Sequence, residues 1–149
     1  MIWVGVDPGK KGGYAWIWED TVRAMPWDDV FFCQDMHCLK ETGEVVVAAV
    51  EKVGARPGQG TVSMFSFGKS AGYIEGVLAA LGIGYQLVPP AAWKKEFSLI
   101  GREKRECIAV AKRLFPQVSL LPGERHRVES DGMGDSLLIA EWCRRKMGC

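Results

Sequence analysis

The chain has 149 residues, 48% hydrophobic and 25% charged, a balance that excludes a disordered or collagen-like polypeptide and fits one globular domain over residues 1–149. Nineteen Lys and Arg against eighteen Asp and Glu leave a formal net charge of +1, so bulk charge neither demands nor excludes a polyanionic partner. The five cysteines (Cys33, Cys38, Cys107, Cys143 and Cys149) lack zinc-finger spacing and read as reduced, intracellular thiols.

Ile2 to Asp7 is rich in β-branched residues and stops at Pro8-Gly9, which reads as a strand and a turn. Gly13 to Trp18 and Thr21 to Met25 follow as two more strands, and their short connections predict an antiparallel meander. Residues 27–40 carry a ragged helical pattern. Glu44 to Glu51 is a nearly continuous apolar run bounded by charge, as a central strand covered on both faces requires. A Gly/Pro loop at 54–60 leads to a helix from about Ser63 to Leu81, then to a strand from Gly84 to Val88 ended by Pro89-Pro90. Helices over 102–115 and from Asp131 to Lys146 complete a βββαβαβαα order. Such an order predicts an α/β mixed five-stranded sheet flanked by helices. The longest aliphatic stretch, Val45–Val50, is far short of the roughly 20 residues that cross a bilayer. With no basic segment ahead of the first strand, the expectation is a cytoplasmic protein of a bacterium or phage-infected host, with no signal or transit peptide and no membrane contact.

Four acids stand where chemistry would need them. Asp7 ends an apolar strand before a glycine-rich turn, although an Asp-Pro-Gly turn also uses Asp for its own geometry. Glu51 ends the central strand, where sites on open α/β sheets gather, and reads equally as the solvated start of a loop. Asp131 and Asp135 are four apart, hence on one helical face about 6 Å apart along the axis, as a ligand pair or as an acidic helix start. Asp135 also precedes Leu137-Leu138-Ile139-Ala140, a stretch that must face a core. Converging carboxylates repel one another and need divalent cations, and oxygen-only donors suit Mg²⁺, with Mn²⁺ as a substitute. Two such ions would clamp the attacking and leaving oxygens of a phosphodiester.

Gly5-Val6-Asp7-Pro8-Gly9, the strand ending in Glu51, and Asp135-Ser136-Leu137-Leu138-Ile139-Ala140 resemble the RuvC-type Holliday junction resolvases of the ribonuclease H-like superfamily. Val88-Pro89-Pro90-Ala91-Ala92-Trp93-Lys94-Lys95, Gly101 to Glu106 and Leu114-Phe115-Pro116 resemble phage-encoded and plastid members in particular. The likeness runs in order along nearly the whole chain, residues 19–43 carrying least of it. It implies a ribonuclease H-like sheet, a homodimer, a four-way DNA junction as substrate, paired nicks, and two Mg²⁺ ions per site. By position it makes Asp7, Glu51 and Asp135 metal ligands. The fourth acid of the bacterial pattern falls on Gly132, leaving Asp131, or else Glu129, to replace it. Because the changed spacing could cripple metal binding, a catalytically silent junction-binding module stays open, as does a ribonuclease H-like enzyme cutting flaps or RNA. An actin-like phosphotransferase shares the Asp-Pro-Gly turn, but the chain is too short for two lobes around ATP, so no nucleotide cofactor is expected.

A DNA substrate also needs cations near the acids. Residues 94–113 hold seven basic side chains (Lys94, Lys95, Arg102, Lys104, Arg105, Lys112, Arg113) against three glutamates, a local net of +4. They read as a phosphate-binding surface or as a helix face with internal ion pairs. Lys104 matches a family lysine that would stabilise charge on the phosphate, with Lys94 as the second choice. Phe65 and Phe67 follow the glycine-rich loop and would either wedge into the junction or pack in the core. Gly68, Gly72, Gly76 and Ala80 form a ridge that fits close packing on the chain's own sheet or a dimer contact. The six tryptophans read as packing residues and His126 as solvated.

Overall fold

The computed structural model describes residues 1–55 and 57–148; Arg56 of the Gly/Pro loop and Cys149 of the five thiols lie outside the described residues. Ten elements follow in order: β1 (Ile2–Asp7), β2 (Gly13–Trp18), β3 (Thr21–Pro26), α1 (Asp29–Glu41), β4 (Val46–Glu51), α2 (Thr61–Ala80), β5 (Gly84–Val88), α3 (Pro90–Glu96), α4 (Lys104–Leu114) and α5 (Asp131–Met147). The strands form one sheet in the order β3-β2-β1-β4-β5. β1 pairs antiparallel with β2 and β2 with β3, whereas β1 with β4 and β4 with β5 run parallel. This is the mixed five-stranded sheet that the sequence predicts.

Alternation along the central strands divides the interior into two layers. Ile2, Val4 and Val6 of β1 and Val46, Ala48 and Val50 of β4 pack with Phe32 and Met36 of α1 and Ile74 and Leu78 of α2. Ala15, Ile17 and Ala49, on the opposite face, pack with Trp93, Cys107, Ala111 and the buried face of α5, including Leu137, Leu138 and Ala140. The two central strands are therefore apolar along their length because helices cover both their faces. Cys33, Cys38, Cys107 and Cys143 are free thiols.

Three readings change. The segment after Pro89-Pro90 is a seven-residue helix, α3, with Pro90 at its first turn, where the missing proline N–H costs nothing. β4 starts at Val46 instead of Glu44, whose backbone N–H donates to the Thr42 hydroxyl at 3.2 Å. The ridge of Gly68, Gly72 and Gly76 faces open space, with nothing within 4 Å of where a Cβ would stand, so it does not serve close packing on the chain's own sheet. Among the described residues, no helix is long and apolar enough to cross a membrane.

Candidate active site

Parallel pairing of β1 with β4 sets the first two acids side by side. Val6 stands opposite Val50, so Asp7 and Glu51 are the next residues at the carboxyl ends of neighbouring strands, whose spacing is about 4.8 Å. Helix α5 supplies the other two. It lies directly on β1 at Gly5, where a Cβ would come within 2.2 Å of both Ser136 O and Ala140 N. A second close approach occurs at its first turn: a Cβ on Gly132 would lie 2.2 Å from Lys11 O. These two contacts fix the helix so that Asp131 and Asp135 approach the strand ends. Ser130 caps the helix, its Oγ accepting from the Met133 N–H at 3.2 Å.

Each acid feels the others. Burial pushes the Asp7 carboxyl well above the usual carboxylate range, and the charges of Glu51, Asp135 and Asp131 push it further. Burial, then Glu51 and Asp131, raise Asp135 to about 7. Asp135 Oδ1 is buried without a hydrogen-bond partner, alone among carboxylate oxygens of the described residues. A buried, unpartnered carboxylate oxygen is costly unless something of opposite charge joins it. All four acids offer hard oxygen donors, the chemistry that divalent cations such as Mg²⁺ take. The residues therefore fit a cation site. Among the described residues no three His, Cys, Asp or Glu side chains already stand as a closed coordination set, so a bound ion would have to draw the carboxylates inward.

Asp131 and Glu129, the two candidates for the fourth position, differ in their contacts. Glu129 turns to α4 and accepts from Lys112 Nζ at 3.1 Å, whereas Asp131 acts electrostatically on both Asp7 and Asp135. Position 132, three residues before Asp135, has no room for a side chain in this structure.

Cations flank the acids. Lys104 Nζ lies 2.9 Å from Asp131 Oδ2, with 83% of the lysine side chain exposed. Its hydrogen bond to Asp131 raises the lysine pKa, and its charge lowers those of Asp7 and Asp135. Lys94 lowers Asp135 as well, and its ammonium sits 5.5 Å from the Trp93 ring centroid. Arg102 pairs with Glu106 at 3.8 Å and Arg105 with Glu103 at 2.7 Å. The segment thus carries both the internal ion pairs and the basic surface: Lys95 is exposed and has no ion pair among the described residues.

Two aromatics are more exposed than core packing allows. Phe65 is 74% exposed on the first turns of α2, and Phe67 is 39% exposed. The Phe67 ring edge lies 3.0 Å from where a Cβ on Gly9 would stand, which sets it over the turn that follows Asp7. One contact to these acids has no counterpart in the sequence. Trp93, fully buried on α3, donates its indole N–H to Glu51 Oε2 at 2.8 Å. The available signal was chemical: a buried tryptophan N–H needs an acceptor.

No protein-family model matches the chain. Over 87 residues, 58% of its length, it is 32% identical to a Holliday junction resolvase, MOC1, of the chloroplast of Chlamydomonas reinhardtii, and it spans only about a tenth of that protein's length. Among solved structures it is similar to Thermus thermophilus RuvC in complex with a Holliday junction substrate, with a TM-score of 0.61 and 15% identity over 99% of this chain and 96% of that one. A second Thermus thermophilus RuvC structure gives a TM-score of 0.55 and 17% identity over 99% and 97%. Sheet order, flanking helices and near-complete mutual coverage agree: the chain has the ribonuclease H-like fold of RuvC.

Proposed function

We propose that residues 1–149 act as one nuclease domain, a homodimeric, Mg²⁺-dependent resolvase that makes paired nicks in four-way DNA junctions. The observation that carries this reading is the convergence of Asp7, Glu51, Asp131 and Asp135, with Asp135 Oδ1 buried and unpartnered. The sequence likeness to a junction resolvase and the RuvC fold support it. Asp7, Glu51, Asp131 and Asp135 would hold two Mg²⁺ ions, or Mn²⁺ in their place, and those ions would supply an activated water and neutralise the leaving 3′ oxygen.

The chain's own residues carry the remaining work. Trp93 holds the Glu51 carboxylate in one orientation through its 2.8 Å hydrogen bond. Lys104, mostly exposed and paired with Asp131, can exchange that carboxylate for the scissile phosphate and stabilise its charge. Lys94, Lys95, Arg102 and Arg105 bind the backbone of the arms; the exposed pairs of Arg102 and Arg105 are worth little and give way to phosphate. Phe65 reaches into the junction centre, and Phe67 lines the wall above the Gly9 turn.

Incubation with synthetic four-way, flap, duplex and RNA–DNA hybrid substrates, with and without Mg²⁺, tests the reading. Symmetric nicks in the four-way junction alone, only with metal, are expected. Preferred cutting of flaps or hybrids would replace the resolvase by another ribonuclease H-like nuclease. Tight junction binding without cleavage in either Mg²⁺ or Mn²⁺ would make the chain a silent junction-binding module.

A further inference from the structure

A cleft of about 490 Å³ opens beside Asp131, between the turn that follows β1 and the loop leading into α5. Its walls include Lys10, Lys11, Trp27, His126 and Val128. Nothing in the four-acid site uses them. The volume lies within the range of small-ligand sites, roughly 300–1,000 Å³. Its charge balance is cationic: Lys10 and Lys11 are exposed and have no ion pair among the described residues. The two acids on the wall, Glu129 and Asp131, are each already held by a lysine, Lys112 and Lys104. Arg125 and Arg127 flank His126 on the rim loop, all three exposed. Apolar surface comes from Val128, 79% exposed, and from Trp27, whose indole N–H is engaged by Asp29 at 2.7 Å. The cleft cannot drift away from the acids, because the Lys11 carbonyl abuts Gly132, next to Asp131.

Free lysines beside an aromatic and an aliphatic surface, anchored next to a nuclease site, are the features that take up one nucleotide: charge for its phosphate, apolar surface for its base. We propose that this cleft seats the nucleotide adjoining the scissile phosphate, with its phosphate on Lys10 and Lys11 and its unstacked base between Trp27 and Val128. The cleft then sets which bases are tolerated beside the nick. This inference rests on the junction-nuclease reading above and adds a specificity site to it.

The test uses the Asp7→Asn chain, to bind without cutting, and four-way junctions carrying 2-aminopurine at single positions on either side of the nicked phosphate. Binding should raise 2-aminopurine fluorescence at one adjoining position and leave positions in the arms unchanged, since unstacking relieves its quenching. Adding Lys10→Ala and Lys11→Ala should abolish that rise, weaken binding about tenfold and reduce the log–log salt slope by about two. In the otherwise native chain, the same two substitutions should flatten the base preference at the nick. Thermal melts confirm that each variant is folded. Junction binding with no fluorescence change at any adjoining position, or an unaltered salt slope and base preference in the lysine variant, overturns the nucleotide cleft while leaving the nuclease reading intact. Failure to bind any junction overturns the nuclease reading itself.

Discussion

Helix α5 carries a half-buried acid, Asp135, in its N-terminal half and a buried one, Glu141, in its C-terminal half, and the protein treats the two oppositely. At the C-terminal half, Glu141 is 2% exposed, yet Arg144 donates to it at 2.7 and 2.9 Å and Arg145 at 2.8 Å. Burial pushes its pKa up, but those hydrogen bonds outweigh burial and leave the carboxyl below its ordinary value. At the N-terminal half, Asp135 has other acids for neighbours, and burial and their charges raise it to about 7. Six residues of one helix therefore separate a satisfied structural carboxylate from one held at a cost. Perturbed, unsatisfied acids gather at functional sites, so the contrast supports the proposal that places chemistry at the N-terminal half of the helix and architecture at the other.

The largest way to break the contrast is through cleavage. Asp7→Asn should lower nicking of a four-way junction by more than about 100-fold, beyond the loss of an outer-shell partner, with junction binding retained in gel shifts. Glu141→Gln should leave cleavage per folded molecule unchanged. Undiminished cleavage by Asp7→Asn would remove that residue from the mechanism.

Stability against pH separates the two ends next. Asp135 is raised from an ordinary 3.8 to about 7, so its folded form holds the proton more tightly than the unfolded chain. Its contribution is fully present below about pH 4 and is lost as pH rises to about 7, on the order of a few kcal/mol in metal-free protein. Glu141, lowered from 4.5, works the other way: its contribution is present above that pH and is lost as acid is added. Metal-free melts should show Asp135→Asn flattening the loss toward pH 7 and Glu141→Gln flattening the loss in acid. Mg²⁺ should raise the melting temperature of the native chain at pH 8 and leave that of Asp135→Asn nearly unchanged, because a ligand bound to the folded state stabilises it.

Smaller effects sharpen the boundary of the site. Gly132→Asp restores an acid three residues before Asp135, but its Cβ has no room against Lys11. It should cost about 1–3 kcal/mol in denaturant melts and fail to rescue Asp131→Asn. Trp93→Phe removes the indole donor to Glu51 and should lower cleavage about tenfold in a protein that still melts cooperatively. Glu129→Gln, which breaks only a surface pair, should keep cleavage within about twofold of the native rate. A larger loss there would return Glu129 to the ligand set in place of Asp131.

Element order and sheet type were legible because β-branched and apolar runs, turn residues and short connections all agreed; the spatial order of the strands was not read from sequence. The acids themselves were legible as types, and Asp135 as misplaced, because it precedes a run that had to be buried. Choosing between Asp131 and Glu129 was not, since that depends on which way each side chain turns and on a backbone contact between Gly132 and Lys11 that sequence spacing does not encode. The α2 glycines repeat every four residues whether they face a sheet or solvent, and a residue without a side chain leaves no hydropathy to tell the two apart. Sequence left Phe65 and Phe67 open between a core and a surface role for a related reason: aromatic type suggests a core, while their exposure is set by where the helix begins. Helix α3 was too short for a periodic pattern, and with it went the contact from Trp93 to Glu51.

The docking of α5 on Gly5 also has a consequence in time. The chain is made from its amino end, and Asp7 and Glu51 emerge long before the last helix exists. Until residues 131–147 have left the ribosome and settled onto the first strand, half of the acidic cluster is missing, and the contact that brings it together spans more than 120 positions of chain. On the nuclease reading proposed above, cutting would be withheld from nascent polypeptides until this helix docks, and a product truncated before residue 131 would lack half of the acids.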